Sequence, residues 1–346
     1  MPSRRRRSPW SGLLQRSVRR SLSAFQRSTK RAVAQANRLA KKTVTKPARP
    51  RRAPRRPASA WLDAVARGAG GARRYLLYRP AGASATPLPL LVLLHGCAQD
   101  AAGIARSTRI ERVAARAGFI VLCPQQERLA NPHGCWNWFG GRSGRALAEA
   151  ASIVGAVDDA CARHGADPAR VAVAGLSAGA SMAALLALHH PQRFAAVAMH
   201  SGVAPGAARS SAGALGAMQG RRRAPPLGEQ AIALPPLLVI QGTADAVVNV
   251  RNGRTAAQLW ADAAGAISRP PRSVQRGTRL VATLTDYRRG PRLVATLCEI
   301  AGLGHGWSGG APGQPHSDAR GPDAARMIWT FAARCFARLD QSAAKQ

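Results

Sequence analysis

The chain has 346 residues, 46% of them hydrophobic, and 51 Lys and Arg against 16 Asp and Glu give it a formal net charge of +35. That length can bury a substantial core, and that apolar fraction excludes wholesale disorder. The charge excess is uneven: residues 1–60 hold 19 Lys or Arg and no acid, while the remaining 286 hold 32 basic and 16 acidic residues.

Residues 1–60 therefore read as a basic tail and residues 61–346 as a separate folded domain. Within the tail, Leu13, Leu14, Val18, Leu22, Phe25 and Val33 recur near helical spacing among Arg and Lys. That pattern predicts a basic amphipathic helix over residues 11–42. Pro47, Pro50, Pro54 and Pro57, set among arginines, predict an extended linker. Such a segment suits attachment to an anionic surface, a granule coat or nucleic acid; the blander alternative is a solvated leader. The Arg4–Arg7 run precedes only a short apolar stretch, so no signal peptide is recognised, and no run approaches the length of about 20 apolar residues that a membrane-spanning helix needs.

From Trp61 onward, short apolar runs alternate with Ala-rich helical segments. Leu88–Leu94 and residues 119–123, 171–174, 195–199 and 237–240 read as strands, nearly continuous in apolar residues as parallel strands buried on both faces must be. Residues 105–117, Arg145–His164, Ala178–His189 and residues 255–264 read as helices. The alternation predicts an α/β fold, an open and mostly parallel sheet with helices on both faces. A six-residue repeat, 279–284 and 292–297, predicts a β-hairpin with residues 286–291 between its arms.

The chemistry centres on Gly175-Leu176-Ser177-Ala178-Gly179, which follows one predicted strand and opens a helix. A serine hydroxyl is a weak nucleophile until it is exposed, oriented and deprotonated by a neighbour. A strand-to-helix elbow supplies the exposure, and the flanking glycines permit the turn, as in the α/β-hydrolase fold. The acid and base should follow in the order Ser, Asp, His. Asp245 ends the run Leu237-Leu238-Val239-Ile240-Gln241-Gly242-Thr243-Ala244, which delivers a carboxylate to the carboxyl edge of the sheet. Asp158 and Asp159 precede the serine and read as solvent-facing helix positions. Asp318 and Asp323 come too late, Asp262 reads as helical, and Asp286 reads as a hairpin tip. His305, flanked by Gly304 and Gly306, is the candidate base; His316 lies in a polar stretch with no strand before it, and His133, His164, His189 and His190 have surface or capping readings.

Backbone amides at Cys97, after the Leu88–Leu94 strand, and at Ala178, after the nucleophile, are the candidate oxyanion donors. Cys97 is equally readable as a buried small residue or half of a disulfide. The six cysteines permit disulfides without implying them, and none has the spacing of a metal site, so no metal or other cofactor is expected. His95, Trp136, Trp138 and Trp307 are candidate substrate-lining residues, with ordinary core packing as the alternative for the aromatic rings.

His95-Gly96-Cys97-Ala98-Gln99, Cys135-Trp136-Asn137-Trp138-Phe139, the Ser177 pentapeptide, Gln241-Gly242-Thr243-Ala244-Asp245 and Gly304-His305-Gly306-Trp307-Ser308-Gly309-Gly310 together resemble the polyhydroxybutyrate depolymerase family of esterases. His200-Ser201-Gly202 and Ala217-Met218-Gln219-Gly220 are similar to it as well. The resemblance implies an α/β-hydrolase with the triad Ser177, Asp245 and His305 and with Cys97 marking the oxyanion hole. It also implies a serine esterase acting on short-chain polyhydroxyalkanoate polymer or oligomers, or on feruloyl or acetylxylan esters. Many such proteins are extracellular, whereas the missing signal makes the cytoplasm the alternative. A reading of another class is a hydrolase-like binding module attached through its basic tail.

Overall fold

The computed structural model describes residues 61–343 apart from 69, 83–85 and 229–233, and these belong to one compact unit. The helix and linker expected within residues 1–60 lie outside the described residues.

Six parallel strands form the centre of an eleven-stranded sheet, in the order β4 (Ile120–Pro124), β3 (Leu88–Leu94), β5 (Ala166–Leu176), β6 (Ala196–His200), β7 (Leu237–Gly242) and β11 (Arg292–Ile300). Antiparallel strands flank it. On one side β2 (Gly71–Tyr78) pairs β4 and carries β1 (Trp61–Gly68); on the other β10 (Ala282–Arg289) pairs β11 and carries β8 (Ile267–Ser268) and β9 (Arg272–Val274). A separate two-stranded pair joins β12 (Trp307–Ser308) to β13 (Ser317–Asp318).

The continuous apolar runs have the cause expected of them. In β3, Leu90, Val92 and Leu94 point to one face and Leu91 and Leu93 to the other, and all five are buried. The first face is covered by α3 (Arg145–His164), α4 (Ala178–His189) and α6 (Arg251–Ala264), and the second by α1 (Ala101–Thr108), α2 (Ile110–Ala117) and α7 (Ala324–Ala343). The result is an α/β three-layer sandwich. Helix α4 is buried almost all round, through Met182, Leu186 and a set of alanines that let it lie close to the sheet. A short helix α5 (Ser211–Met218) follows β6. Truncating a fully buried side chain such as Leu93 to alanine would cost about 2–5 kcal/mol.

Three local expectations need correction. The single helix expected over residues 105–117 is two helices that meet at Arg109, whose backbone is left-handed at φ 54°. The Arg109 amide caps Ala105 O, and its guanidinium donates to Gly309 O and Gly310 O, both at 2.9 Å, so a distant loop holds the break open. The repeat does form a hairpin, but the chain reverses at Gly290-Pro291, with Gly290 at φ 57°. Asp286 is therefore a strand residue opposite Thr296, whose hydroxyl it accepts at 2.7 Å, and Arg272 bonds its other oxygen at 3.0 Å. Asp159, expected to face solvent, instead accepts the Tyr75 hydroxyl and pairs with Arg163, and His164 also meets that hydroxyl, at 3.1 Å.

Because β3, β5, β6, β7 and β11 run parallel, their carboxyl ends share one edge of the sheet. The segments leaving them begin at His95, Ser177, Ser201, Thr243 and Ala301. Among the described residues other than glycine, five have positive φ: Ala98, Arg109, Ser177, Ser201 and His316. Three of these lie on segments leaving those strand ends, which is where strained backbone is expected to gather around function.

Candidate active site

Ser177 sits between β5 and α4 with φ 56° and ψ −118°, a conformation that L-residues rarely adopt. Two glycines make the turn sterically feasible. A Cβ on Gly175 would fall 2.3 Å from Gly179 C, and one on Gly179 would fall 2.3 Å from Leu94 O. The elbow is pinned by the Ser177 amide, which donates to His200 O at 2.8 Å, and by Ser177 O, which accepts the Ser181 amide at 3.1 Å. Ser177 itself is partly exposed.

The Asp245 carboxylate has no exposed surface, and its hydrogen bonds come from four donors: the Val247 and Val248 amides at 2.9 and 2.8 Å, Gln241 Nε2 at 3.1 Å and His305 Nδ1 at 2.9 Å. Burial alone would raise its pKa. The His305 hydrogen bond and charge, with the Val248 and Val247 amides, outweigh burial and hold the carboxyl below its ordinary value. The turn carrying Asp245 and the loop carrying His305 are also joined by their backbones. Ala244 N donates to Leu303 O at 3.0 Å, and a Cβ on Gly242 would fall 2.2 Å from Leu303 O. With Nδ1–H committed to the carboxylate, the His305 lone pair lies on Nε2, the tautomer a general base requires. The structure joins His305 to Asp245 and forms no hydrogen bond between Ser177 Oγ and His305; in such sites that bond commonly tightens only when substrate is bound.

Gly96 and Cys97 lie in a tight turn closed by Gln99 N on Gly96 O at 3.3 Å, with Ala98 at φ 59°. The turn reaches the elbow: a Cβ on Gly96 would stand 3.5 Å from Ser177 Cβ. The Cys97 and Ala178 amides meet no acceptor among the described residues. Cys97 is disulfide-bonded to Cys135, a pairing the sequence left open, and the other four cysteines are free. The bond ties the turn to the loop of residues 125–140. That loop is held from beneath by buried Glu149, which accepts the Asn137 amide at 2.8 Å, Asn137 Nδ2 at 2.5 Å and Gln126 Nε2 at 2.7 Å. Arg73 completes the network through Gln126 Oε1 and Ser152 Oγ.

Three of the four residues expected to line the substrate site are core residues. His95 is wholly buried, with Nδ1–H donating to Gly96 O at 2.9 Å and Nε2 accepting the Gln126 amide at 3.1 Å, and burial lowers its pKa to about 4. Trp136 is wholly buried beneath it, its Nε1–H bonded to His95 O at 3.0 Å and Arg73 5.3 Å from its ring. Trp307 is 1% exposed and stacks on His200 at 5.2 Å. The buried carboxylate of Glu149 takes up the polar groups of a loop whose Gly, Pro and Asn content suggested the surface. Trp138 alone of the four keeps exposed surface, edge-on to Phe139.

Sequence reasoning gave His200 and Gln241 no role of their own. His200 ends β6, wholly buried, and burial lowers its pKa to about 3, with the His305 charge acting in the same direction. Its Nδ1 meets Ser201 Oγ at 3.1 Å and its Nε2 accepts the Ser308 amide at 3.0 Å, so one neutral residue touches the nucleophile elbow and the segment after the base. A histidine at the end of an otherwise apolar strand beside the elbow was the signal available. His316 is half-buried, and its carbonyl accepts the Trp307 amide at 2.8 Å. Among the described residues no helix is long and apolar enough to cross a membrane, and no three His, Cys, Asp or Glu side chains are grouped to hold a metal ion.

Known proteins share both this sequence and this architecture. The poly(3-hydroxyalkanoate) depolymerase C of Paucimonas lemoignei is 42% identical over 115 residues, 33% of this chain and 28% of that protein. Feruloyl esterase B of Neurospora crassa is 34% identical over 122 residues, 35% of this chain and 41% of that one, so each alignment spans well under half of the relative. The solved acetyl xylan esterase of Aspergillus awamori superposes with a TM-score of 0.57 at 22% identity, covering 69% of this chain and 90% of its own, which shows a shared α/β-hydrolase fold. A family model described as esterase PHB depolymerase matches residues 73–267, more than half of the sequence, and the chain belongs to that family.

Proposed function

We propose that the protein is a serine hydrolase of carboxylic esters working through an acyl-enzyme. The observation that carries this reading is the Asp245–His305 hydrogen bond of 2.9 Å at the sheet edge that also presents the strained Ser177 elbow. His305 Nε2 takes the Ser177 proton as Oγ attacks the ester carbonyl. Asp245 stabilises the imidazolium, and the Cys97 and Ala178 amides receive the oxyanion. Collapse of the tetrahedral intermediate passes that proton to the departing alcohol and leaves the acyl group on Ser177. Water, deprotonated by the same nitrogen, then releases the carboxylic acid and restores the hydroxyl.

Short-chain polyhydroxyalkanoate oligomers or polymer are the preferred substrates, supported by the named depolymerase relative and by the fully exposed Leu129 and partly exposed Trp138 on one loop. Feruloyl or acetylated carbohydrate esters are the second reading, supported by the named esterase relatives. Hydrolysis of p-nitrophenyl butyrate by the wild type and by Ser177→Ala tests the reaction, and equal rates would end it. A panel of 3-hydroxybutyrate oligomers, polymer granules, feruloyl esters and acetylated xylan assigns the substrate. The 19 Lys or Arg of residues 1–60 support a further role in holding a polyanion. Loss of salt-dependent binding to DNA or anionic vesicles when residues 1–60 are deleted would bear that out, and unchanged binding would remove it.

A further inference from the structure

Between β6 and β7 the segments before and after α5 surround an open cleft of about 610 Å³, lined among others by Arg209, Ser210, Arg222 and Arg223. The sequence contains no Asp or Glu between Asp167 and Glu229, and among the described residues none of these three arginines is ion-paired. Arg222 lies beyond the end of α5 and its side chain folds back onto that helix. It lies along the α5 face at Gly213 and Gly216, where added Cβ atoms would stand 3.7 Å from its Cζ and 3.4 Å from its Nε. Ser210 caps α5 by accepting the Gly213 amide at 3.2 Å, so the positive end of the helix borders the same cleft.

The cleft is anchored to the candidate active site from two sides. Val203 N donates to Ser181 Oγ at 2.9 Å, one helical turn beyond Ser177, and Gly206 on the cleft wall follows within about 10 Å of extended chain. On the other side, Asn252 Nδ2 donates to Ala217 O at 2.9 Å and Asn249 N to Met218 O at 2.8 Å, fixing α5 to the segment just after Asp245.

We propose that this cleft is a carboxylate-binding subsite that takes the free acid end of an oligoester. The inference rests on the ester-hydrolase reading above, because each turnover of such a reaction creates a carboxylate beside Ser177. A guanidinium matches a carboxylate's two oxygens in a way an ammonium does not, and three of them line this cleft. The subsite favours chain ends over chain interiors and makes acid oligomers both better substrates and product inhibitors.

The test compares 3-hydroxybutyrate oligomers as free acids with the same oligomers as methyl esters. Wild type, Arg222→Gln/Arg223→Gln and, as an independent variant, Arg209→Gln are assayed after a thermal melt confirms that each folds. The KM ratio of methyl ester to free acid should exceed one in wild type and fall about tenfold in the double variant, the effect of losing two exposed charged hydrogen bonds. An unchanged ratio in both variants overturns the proposal. Calorimetry on Ser177→Ala with the acid dimer, its methyl ester and inorganic phosphate separates the two readings. Selective binding of the acid dimer, lost in the arginine variants, supports the subsite even if no ester is cleaved. Binding of phosphate more tightly than the dimer, or of dimer and methyl ester alike, overturns it. Continued hydrolysis by Ser177→Ala would instead strike the Ser177 acyl-enzyme on which the reading rests.

Discussion

His200 Nε2 accepts the amide of Ser308 at 3.0 Å, three residues beyond the candidate base, while the carbonyl of His200 accepts the amide of Ser177 at 2.8 Å. One buried side chain and its own backbone thus set the spacing of two segments that are far apart in sequence. Replacing His200 by Phe keeps a ring against Trp307 but leaves the Ser308 amide without its acceptor, which should cost about 1–3 kcal/mol of stability. The same variant should lower kcat for p-nitrophenyl butyrate by more than it raises KM, because what it displaces is the base. Denaturant unfolding and steady-state kinetics measure both; wild-type values in each would show that His200 is only filler.

Asp245→Asn is expected to fold normally and to lose about three to four orders of magnitude in kcat. The amide would donate to Nδ1 where the carboxylate accepted, placing the ring proton on Nε2 and blocking proton transfer from Ser177. A kcat within a few-fold of wild type would assign the role of acid to another residue.

Stability should fall as pH drops below the ordinary histidine range. His95 and His200 are buried neutral, with folded pKa values lowered to about 4 and about 3. In the unfolded chain both bind a proton near pH 6.5, so the unfolded state holds more protons between that pH and the folded values, and stability rises with pH across this window. Each group should remove on the order of a few kcal/mol by the time pH reaches its folded value. Asp245 adds a loss only further down, since its lowered pKa stabilises the fold above the ordinary carboxylate value and is forfeited as pH falls through the folded one. His200→Phe should flatten the upper part of the curve, which a pH series of denaturation midpoints would record.

Reducing the Cys97–Cys135 bond opens a loop of sequence separation 38 and should cost about 2–4 kcal/mol. Because the Cys97 amide is a proposed oxyanion donor, kcat should fall before the fold is lost. Activity and near-ultraviolet circular dichroism followed together through a dithiothreitol titration would show this, and fully active reduced protein would contradict it.

The central strands were legible because burial on both faces leaves a strand no polar positions, and Leu88–Leu94 shows this along its length. The bounds of Arg145–His164 and Ala178–His189 were legible too, since Gly144 and Gly165 flank the first and the Ser177 elbow and Pro191 bracket the second. The break at Arg109 was not, because it carries no glycine or proline and is held by carbonyls two hundred residues away. Strands β1 and β2 were missed because Asp63, Arg67, Arg73 and Arg74 break up any continuous apolar run in them. The candidate triad was readable from order and context, whereas the burial of His95, Trp136 and Trp307 depended on partners such as Glu149 and His200 that no local pattern announces.

Strand β11 closes the parallel set although it is among the last to be synthesised, and it brings the His305 loop into register with the Asp245 turn. A growing chain therefore possesses its nucleophile elbow long before it possesses a base. Hydrolytic competence would switch on only when the two halves of the sheet join, so turnover reports completion of the fold more faithfully than helix content does.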